Sequence, residues 1–499
     1  MTALRDSYDV LVVGGGINGT GIARDAAGRG LSVLLCEQDD LAAHTSSAST
    51  KLIHGGLRYL EGFHFALVRK ALREREVLLG AAPHIMRPLR FVMPHDAHLR
   101  PLWMIRAGLL LYDNLARREH LAASAALGLR RHPAGNPLKK EYTRGFIYSD
   151  GWADDARLVV LNAQSAAEHG ATILTRTRCE RIATDGRNWI AELKGRDGTL
   201  QVKARSVVNA AGPWVSQFLR ERSPSKAIHN LRLVKGSHIV VPQLFAHRFA
   251  YIFQNTDRRI VFAIPYEERF TLIGTTDVDY SGDLASPRID PEEVIYLCRT
   301  INRYFTRQTE PSDVIWSYSG IRPLLADDAE DPSSVTRDYA LEFDIAHTAP
   351  LLSVFGGKIT TYRRLAETAV DELTKRLGKR RPAWTKGALL PGGDLPEGSF
   401  AVFLRSLVRK YPWLPEDLRR RYASAYGTRI DRLLDGARSL ADLGQQVLPQ
   451  LFEREIDYLR REEWALTAED ILWRRTKLGL HLPPDSAAAL DDWLSRRSH

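Results

Sequence analysis

The stretch YDVLVVGGGINGTGIARDAAGRGLSVLLCE, residues 8 to 37, constrains the fold more than any other part of the chain. Tyr8 to Val13 is short and apolar, as a buried strand requires. Gly14, Gly16 and Gly19 follow in G-x-G-x-x-G spacing and open a helical run, and a second apolar strand ends at Glu37. Glycines so spaced permit a tight turn, close approach to a pyrophosphate and close packing of helix on strand. The first amides of the helix favour a phosphate. Glu37 stands about twenty residues beyond the first glycine, where a carboxylate accepts hydrogen bonds from an adenosine ribose. This βαβ unit predicts a Rossmann-like, dinucleotide-binding domain.

At 499 residues the chain is long enough for about two to four domains. Strands and helices alternate, which predicts an α/β chain that is α+β overall. The dinucleotide domain is expected to be discontinuous, drawn from 1–80, 145–230 and 345–387. SVVNAAGPW supplies a return strand, and LLSVFGGKITTYRRLAETAVDELTKRLG a late strand, two glycines and a long helix. Residues 81–144 are expected to form a helical, membrane-facing insertion. SHIVV, RIVFAIP and FTLIGTT mark a β-rich substrate domain over 231–344, with one wet face to its sheet. After KGALLPGGDLPEGS the composition turns helical and arginine-rich, which defines an α-helical domain over 388–499.

The formal charge of +10 invites an anionic partner: nucleic acid, an acidic membrane face or a phosphorylated substrate. No nucleic-acid-binding motif is recognisable. Cys36, Cys179 and Cys298 match no metal spacing, so no metal is expected and the thiols read as reduced and cytosolic. Met1 to Ser7 is polar, so no secretory signal is expected. No apolar run reaches the roughly 20 residues needed to span a bilayer. In RPLWMIRAGLLLYDNLARR, residues 100 to 118, Trp103, Met104 and Leu109 to Tyr112 lie among Arg100, Arg106, Arg117 and Arg118. That pattern suits a helix lying on anionic lipid, and equally a helix packed in a core.

The fingerprint alone fits FAD or NAD. The Ser/Thr-rich loop after the second strand, the long excursion and the distant return strands suggest a long cofactor held at both ends, which favours FAD. The blocks VVGGGINGTGIARDAAGRG, TKLIHGGLRYLE, SDGWADDARLVVLNA, KGSHIVV, IGTTDVDY, YSGIRPLL, TRDYAL, FGGKITTYRRLAE and LWRRTKLGL run through nearly the whole chain. Together they resemble the FAD-dependent glycerol-3-phosphate dehydrogenases, the bacterial aerobic, membrane-associated enzyme most of all. The resemblance implies an FAD-binding domain of the D-amino-acid-oxidase/glutathione-reductase type. It implies oxidation of glycerol 3-phosphate to dihydroxyacetone phosphate, with electrons passed to a membrane quinone. It further implies a homodimer, peripherally attached to the anionic inner face of the cytoplasmic membrane. No calcium-binding loop pattern of the kind some relatives carry is present.

Residue by residue, the resemblance assigns cofactor contacts to Gly14, Gly16, Asn18, Gly19 and Glu37. Thr45, Ser46, Ser49, Lys51, Leu52, His54, Gly55 and Gly56 form a second group. Ala211, Gly212 and Trp214 form a third, and Gly357, Lys358, Ile359 and Thr360 a fourth. The substrate phosphate is a dianion, which suits arginine's planar fork. The matching positions are Arg58, Tyr59, Arg322 and Arg337, with Thr360 beside them. Lys358 and the glycine amides would steady the negative charge that a reduced flavin gains. His238 titrates in the useful range and is the expected base, with His54 as rival. Arg322 and Lys358 complete the catalytic set. Asp277 follows a strand and either orients a neighbouring cation or marks a plain turn. LWRRTKLGL is expected to dock on the catalytic body or a partner subunit. Two other readings stay open: an amino-acid oxidase of the same flavin superfamily, since a carboxylate also binds arginine, and a nucleic-acid-binding flavoprotein. Several cations around one site favour the dianion.

Overall fold

The computed structural model describes residues 4–96, 99–225, 231–255, 257, 259–325, 339–344, 349–379 and 381–497. The strands Leu351–Phe355, Gly198–Asn209, Ser7–Val13, Val33–Cys36 and Thr172–Leu174 lie side by side in that order, all parallel. Ala340–Asp344 adds an antiparallel edge, and Trp189–Gly195 pairs antiparallel with the first half of Gly198–Asn209. Both faces of this sheet are covered, so its strands read as continuous apolar runs. Val10, Val12, Val33 and Leu35 enter one core; Leu11, Val13, Leu34 and Cys36 enter the other. The helices Ile17–Gly28, Asp155–Glu168 and Tyr362–Arg376 cover the first face. Gly14 sits at φ +113°, and a Cβ on Gly19 would stand 1.9 Å from the Gly14 carbonyl oxygen. The fingerprint glycines are therefore demanded by the turn and by the approach of helix to strand.

A second, mixed sheet runs Val278–Asp279, Leu231–Pro242, Phe270–Gly274, Ile260–Tyr266, Ala250–Gln254, Met86–Pro94, Arg144–Ala153, Leu52–Ile53. Trp316–Leu325 also pairs with Leu231–Pro242, and Ala125–Gly128 with Arg144–Ala153. Two expectations are corrected here. Among its described residues the segment 81–144 carries a single α-helix, Leu102–Asn114, and gives strands to this sheet, as does 144–153. Arg87, Pro88 and Arg90 interrupt the apolar alternation of Met86–Pro94, and backbone pairing to Arg144–Ala153 overrides that weak pattern. Nor does the sheet keep a wet face. Ile239, Val241 and Ile273 pack towards the helix Pro291–Tyr304. Val240, Ile252 and Leu272 pack towards Val68, Leu72, Leu109 and Tyr112 of the helices Phe65–Ala81 and Leu102–Asn114. The central strands alternate between two apolar environments.

The C-terminal part has its own core, built from the helices Phe400–Lys410, Glu416–Tyr426, Glu453–Glu463 and Ser486–Ser495. The LWRRTKLGL block docks on the catalytic body. Arg474 and Arg475 reach Asp40 at 2.6 and 2.7 Å, and Arg176 reaches Asp470 at 2.7 Å. Arg157 pairs with Glu463 in the same junction. Charges withdrawn from water in this way are tolerated only when paired. No helix among the described residues is long and apolar enough to cross a membrane.

Candidate active site

Glu37 directly follows the strand Val33–Cys36 and is almost wholly buried, and burial pushes its carboxyl above the usual range. Its Oε2 accepts from the Gly15 amide at 2.6 Å and its Oε1 from the Asp39 amide at 2.8 Å. A buried carboxylate needs donors, and ribose hydroxyls are donors of the right kind. The Ser46 hydroxyl accepts from the Ile17 amide at 3.0 Å, which brings the Ser/Thr loop onto the helix start. Gly212 is left-handed, at φ +56°, and a Cβ there would meet nothing within 4 Å. Open space thus borders the end of the return strand, beside Ala211 and Trp214. Gly16, Asn18, Thr45, Ser46, Gly356, Lys358 and Ile359 are partly exposed, and Gly357 is exposed. These residues fit FAD: donors and acceptors for the adenosine half at one end, bare backbone at the other. Glu37, Asp39 and His44 also bring ligand atoms within 4.8 Å of one another. Their atoms are engaged with the Gly15 and Asp39 amides and, at 2.8 Å, with each other as His44–Asp39.

Four hydrogen bonds draw distant segments together. Asn18 Nδ2 donates to the Gly356 carbonyl at 3.1 Å. The Thr45 hydroxyl donates to the Ile321 carbonyl at 2.8 Å, and the Tyr318 hydroxyl to the Ser49 carbonyl at 2.8 Å. The His54 amide donates to Thr360 Oγ1 at 3.2 Å. A Cβ on Gly357, at φ +100°, would press on Asn18 Nδ2 at 2.9 Å, so glycine is needed there for the approach. Ser49 and Lys51 turn their side chains to Asp155, at 2.7 Å each, and so fix the loop's shape. Leu52 is buried in the second sheet's core, and Ile359 packs on that of the first. Gly55 donates its amide to the Tyr112 hydroxyl at 2.8 Å, and that hydroxyl is seated on Asp150. Arg75 holds Asp150 at 2.6 Å, so the approach of residues 54 to 56 is set by a buried triad.

The cations gather on both flanks of this loop. Arg58 and Tyr59 occupy the single helical turn Leu57–Leu60. Lys358 Nζ lies 4.1 Å from the centre of the Tyr59 ring. On the other flank Arg322 pairs with Asp277 through Nη1 and with Thr275 Oγ1 at 3.0 Å through Nη2. Its guanidinium crosses Gly236, where a Cβ would stand 2.2 Å from Nη2. Asp277 therefore orients a cation, one of the two roles open to it in the sequence. Arg337 lies outside the described residues. His238 is 1% exposed, and its Nε2 meets Thr50 Oγ1 at 2.9 Å. Its Nδ1 has no hydrogen-bond partner. Burial, then Arg322 and Lys51, hold the imidazole well below its ordinary pKa, so it is neutral at neutral pH. His54 is tied to the other flank by the hydrogen bond from its backbone amide to Thr360 Oγ1.

Thr50, Asp155, Tyr318 and the triad Arg75, Asp150 and Tyr112 were not expected. Asp155 had a signal: Asp154 caps its helix, accepting from the Arg157 amide at 3.1 Å. Acidic residues gather at helix starts, where a second carboxylate is free for other work. Thr50, Tyr318 and the triad carry no local signal, because their partners are 38 to 269 residues away.

Residues 9–363 match the family model described as FAD dependent oxidoreductase, and residues 383–497 that of the C-terminal domain of alpha-glycerophosphate oxidase. A glycerol-3-phosphate dehydrogenase of Pseudomonas aeruginosa is 55% identical over 98% of this chain and 96% of its own. A D-erythritol 1-phosphate dehydrogenase of Brucella abortus is 49% identical over 98% of each. The solved glycerol-3-phosphate dehydrogenase of Bacillus halodurans, complexed with FAD, superposes with a TM-score of 0.80 at 32% identity, covering 99% of this chain and 91% of that one. With its fingerprint, its returning strands and its helical C-terminal domain, this chain belongs to the family of FAD dependent oxidoreductases that includes these dehydrogenases.

Proposed function

We propose that this protein oxidises glycerol 3-phosphate to dihydroxyacetone phosphate and passes the electrons to a membrane quinone. The observation that carries the reading is the pairing of a buried, neutral imidazole with arginine on the strand beside it, next to a loop built for FAD. When bound, FAD accepts the hydride that the secondary alcohol gives up. Gly14, Gly16, Asn18, Gly19 and Glu37 would hold its adenosine and pyrophosphate half; Gly55, Gly56 and Gly357 to Thr360 would lie against the ring system.

The chain's own residues supply position and proton transfer. Arg322 is preset by Asp277 and Thr275 and keeps donors for a phosphate oxygen. Arg58 would reach it from the other flank, on the same helical turn as Tyr59, over whose ring Lys358 lies. Gripping the dianion fixes the alcohol carbon, which converts binding energy into orientation. In the tautomer whose Nε2 donates to Thr50, the lone pair on Nδ1 takes the hydroxyl proton. The unpaired Nδ1 supports this role, since a buried acceptor left without a partner costs about 1–3 kcal/mol. A substrate hydroxyl supplies the missing partner.

Membrane attachment is supported by the helix Leu102–Asn114. Leu109 and Tyr112 are buried, whereas Trp103 and Leu110 are 68% and 64% exposed. Nearby Phe63 is 78% exposed, and Arg100 reaches back to Glu61 at 3.5 Å. Arg69 and Arg73 of the helix Phe65–Ala81, Arg106 of this helix and Arg117 just beyond it are also exposed. The pattern suits an anionic lipid surface, where an oxidised quinone is available.

The test is anaerobic bleaching of the bound flavin. Glycerol 3-phosphate is expected to bleach it, D-erythritol 1-phosphate more slowly, and glycine and sarcosine not at all. Bleaching by the amino acids without bleaching by glycerol 3-phosphate would return the protein to the amino-acid oxidases.

A further inference from the structure

We propose that Tyr318 and Trp473 are positioning residues for His238, through which the C-terminal domain fixes the imidazole in the active site. This rests on the reading of His238 as proton acceptor. His238 and Tyr318 face each other across adjacent strands. Their rings stack with centroids 4.8 Å apart and planes 15° off parallel. On the imidazole's other side stands Gly274, where a Cβ would be 2.2 Å from His238 Cδ2. The imidazole is therefore clamped between an aromatic ring and bare backbone.

The clamp continues outward. Residues two apart on a strand share a face, and the Trp316 ring lies 5.1 Å from that of Tyr318. Trp473 of the C-terminal domain then stacks on Trp316 at 4.4 Å, with planes 19° apart. Its turn cannot drift, because Arg474 and Arg475 are bonded to Asp40 and Lys477 reaches Asp154 at 3.2 Å. The Tyr318 hydroxyl donates to the Ser49 carbonyl at 2.8 Å, one residue before the threonine that holds Nε2. Ring plane and ring rotation are thus tied to one loop and to one turn of the C-terminal domain.

The experiment uses the full-length holoenzyme with a soluble dye as electron acceptor. Trp473→Ala is expected to lower kcat roughly tenfold, since small misplacements of a reacting group are costly. KM for glycerol 3-phosphate and FAD content should stay within about twofold, and Trp473→Phe, which keeps a ring, should restore most of the rate. His238→Ala is expected to lower kcat by a factor of roughly 10² to 10⁴. In that background Trp473→Ala should add less than about twofold, because both changes act on one group. A full tenfold loss on top of His238→Ala overturns the positioning role and leaves the base intact. So does a loss of FAD and a rise in KM that accompany the fall in kcat, or no loss in Trp473→Ala at all. A silent His238→Ala removes the base and this inference with it.

Discussion

Arg322 reaches its anchors only because the strand beside it carries glycine at position 236. Two of its nitrogens are spent on Asp277 and Thr275, which sets the plane of the fork before any ligand arrives. Lysine offers one ammonium on a flexible stem and cannot keep both anchors and a phosphate. Arg322→Lys is therefore expected to raise KM for glycerol 3-phosphate roughly 10- to 100-fold, the worth of about one charged hydrogen bond. FAD content should be unchanged, because none of these atoms touches the fingerprint. Steady-state kinetics on the purified variant checks it, and an unaltered KM would remove Arg322 from the phosphate site. His238 illustrates the other residue-scale theme. Its chemistry is set less by its own titration than by what shields it: Tyr318 on one side, Gly274 on the other, and Arg322 and Lys51 nearby.

Among the elements, the helix Leu102–Asn114 is the one with two audiences. Its inner face delivers the Tyr112 hydroxyl to the Gly55 amide, while its outer face shows Trp103 and Leu110 to the exterior. The sequence left lipid and core as rival destinations for residues 100 to 118. The helix serves a core with one face and exposes the other. Burying an exposed large apolar side chain is worth about 1.5–3 kcal/mol. The double change Trp103→Ser with Leu110→Ser should thus lower sedimentation with anionic liposomes at least about tenfold at low ionic strength. Turnover with a soluble dye should be unaffected. Equal sedimentation of the two proteins would rule this face out as the lipid contact.

At the scale of the molecule, the catalytic body and the C-terminal domain meet across buried charge, and His84 lies in that junction. It is 5% exposed, neither ring nitrogen has a partner, and burial followed by Arg157 pushes its pKa down to about 3. An unfolded chain protonates this histidine near its ordinary value of 6.5 while the folded one does not. Between those two values the unfolded state binds more protons, so stability falls as pH drops, by about 1.4 kcal/mol per unit at most. Tm measured from pH 7 to 4.5 should therefore decline less steeply in His84→Leu than in the parent; parallel curves would show that the junction does not titrate. How much of all this was legible beforehand follows the reach of each interaction. Gly14, Gly19 and Glu37 declared their roles because turn geometry and strand endings are local. Short apolar runs likewise announced the strands Ser7–Val13, Val33–Cys36, Gly198–Asn209 and Leu351–Phe355. The sequence did not reveal that Met86–Pro94 joins the second sheet, since charges and a proline mask its period and only pairing to Arg144–Ala153 decides the matter. Nor did it reveal the hold of Thr50 and Tyr318 on His238, the grip of Asp155 on Lys51, or the stack from Trp473 inward. The sequence by itself determined the cofactor fold and the residue types of the site, because those are written in short-range sterics and spacing. Which side chains face one another was decided by the tertiary structure alone, because a contact between segments hundreds of residues apart depends on how two sheets and a third domain close together.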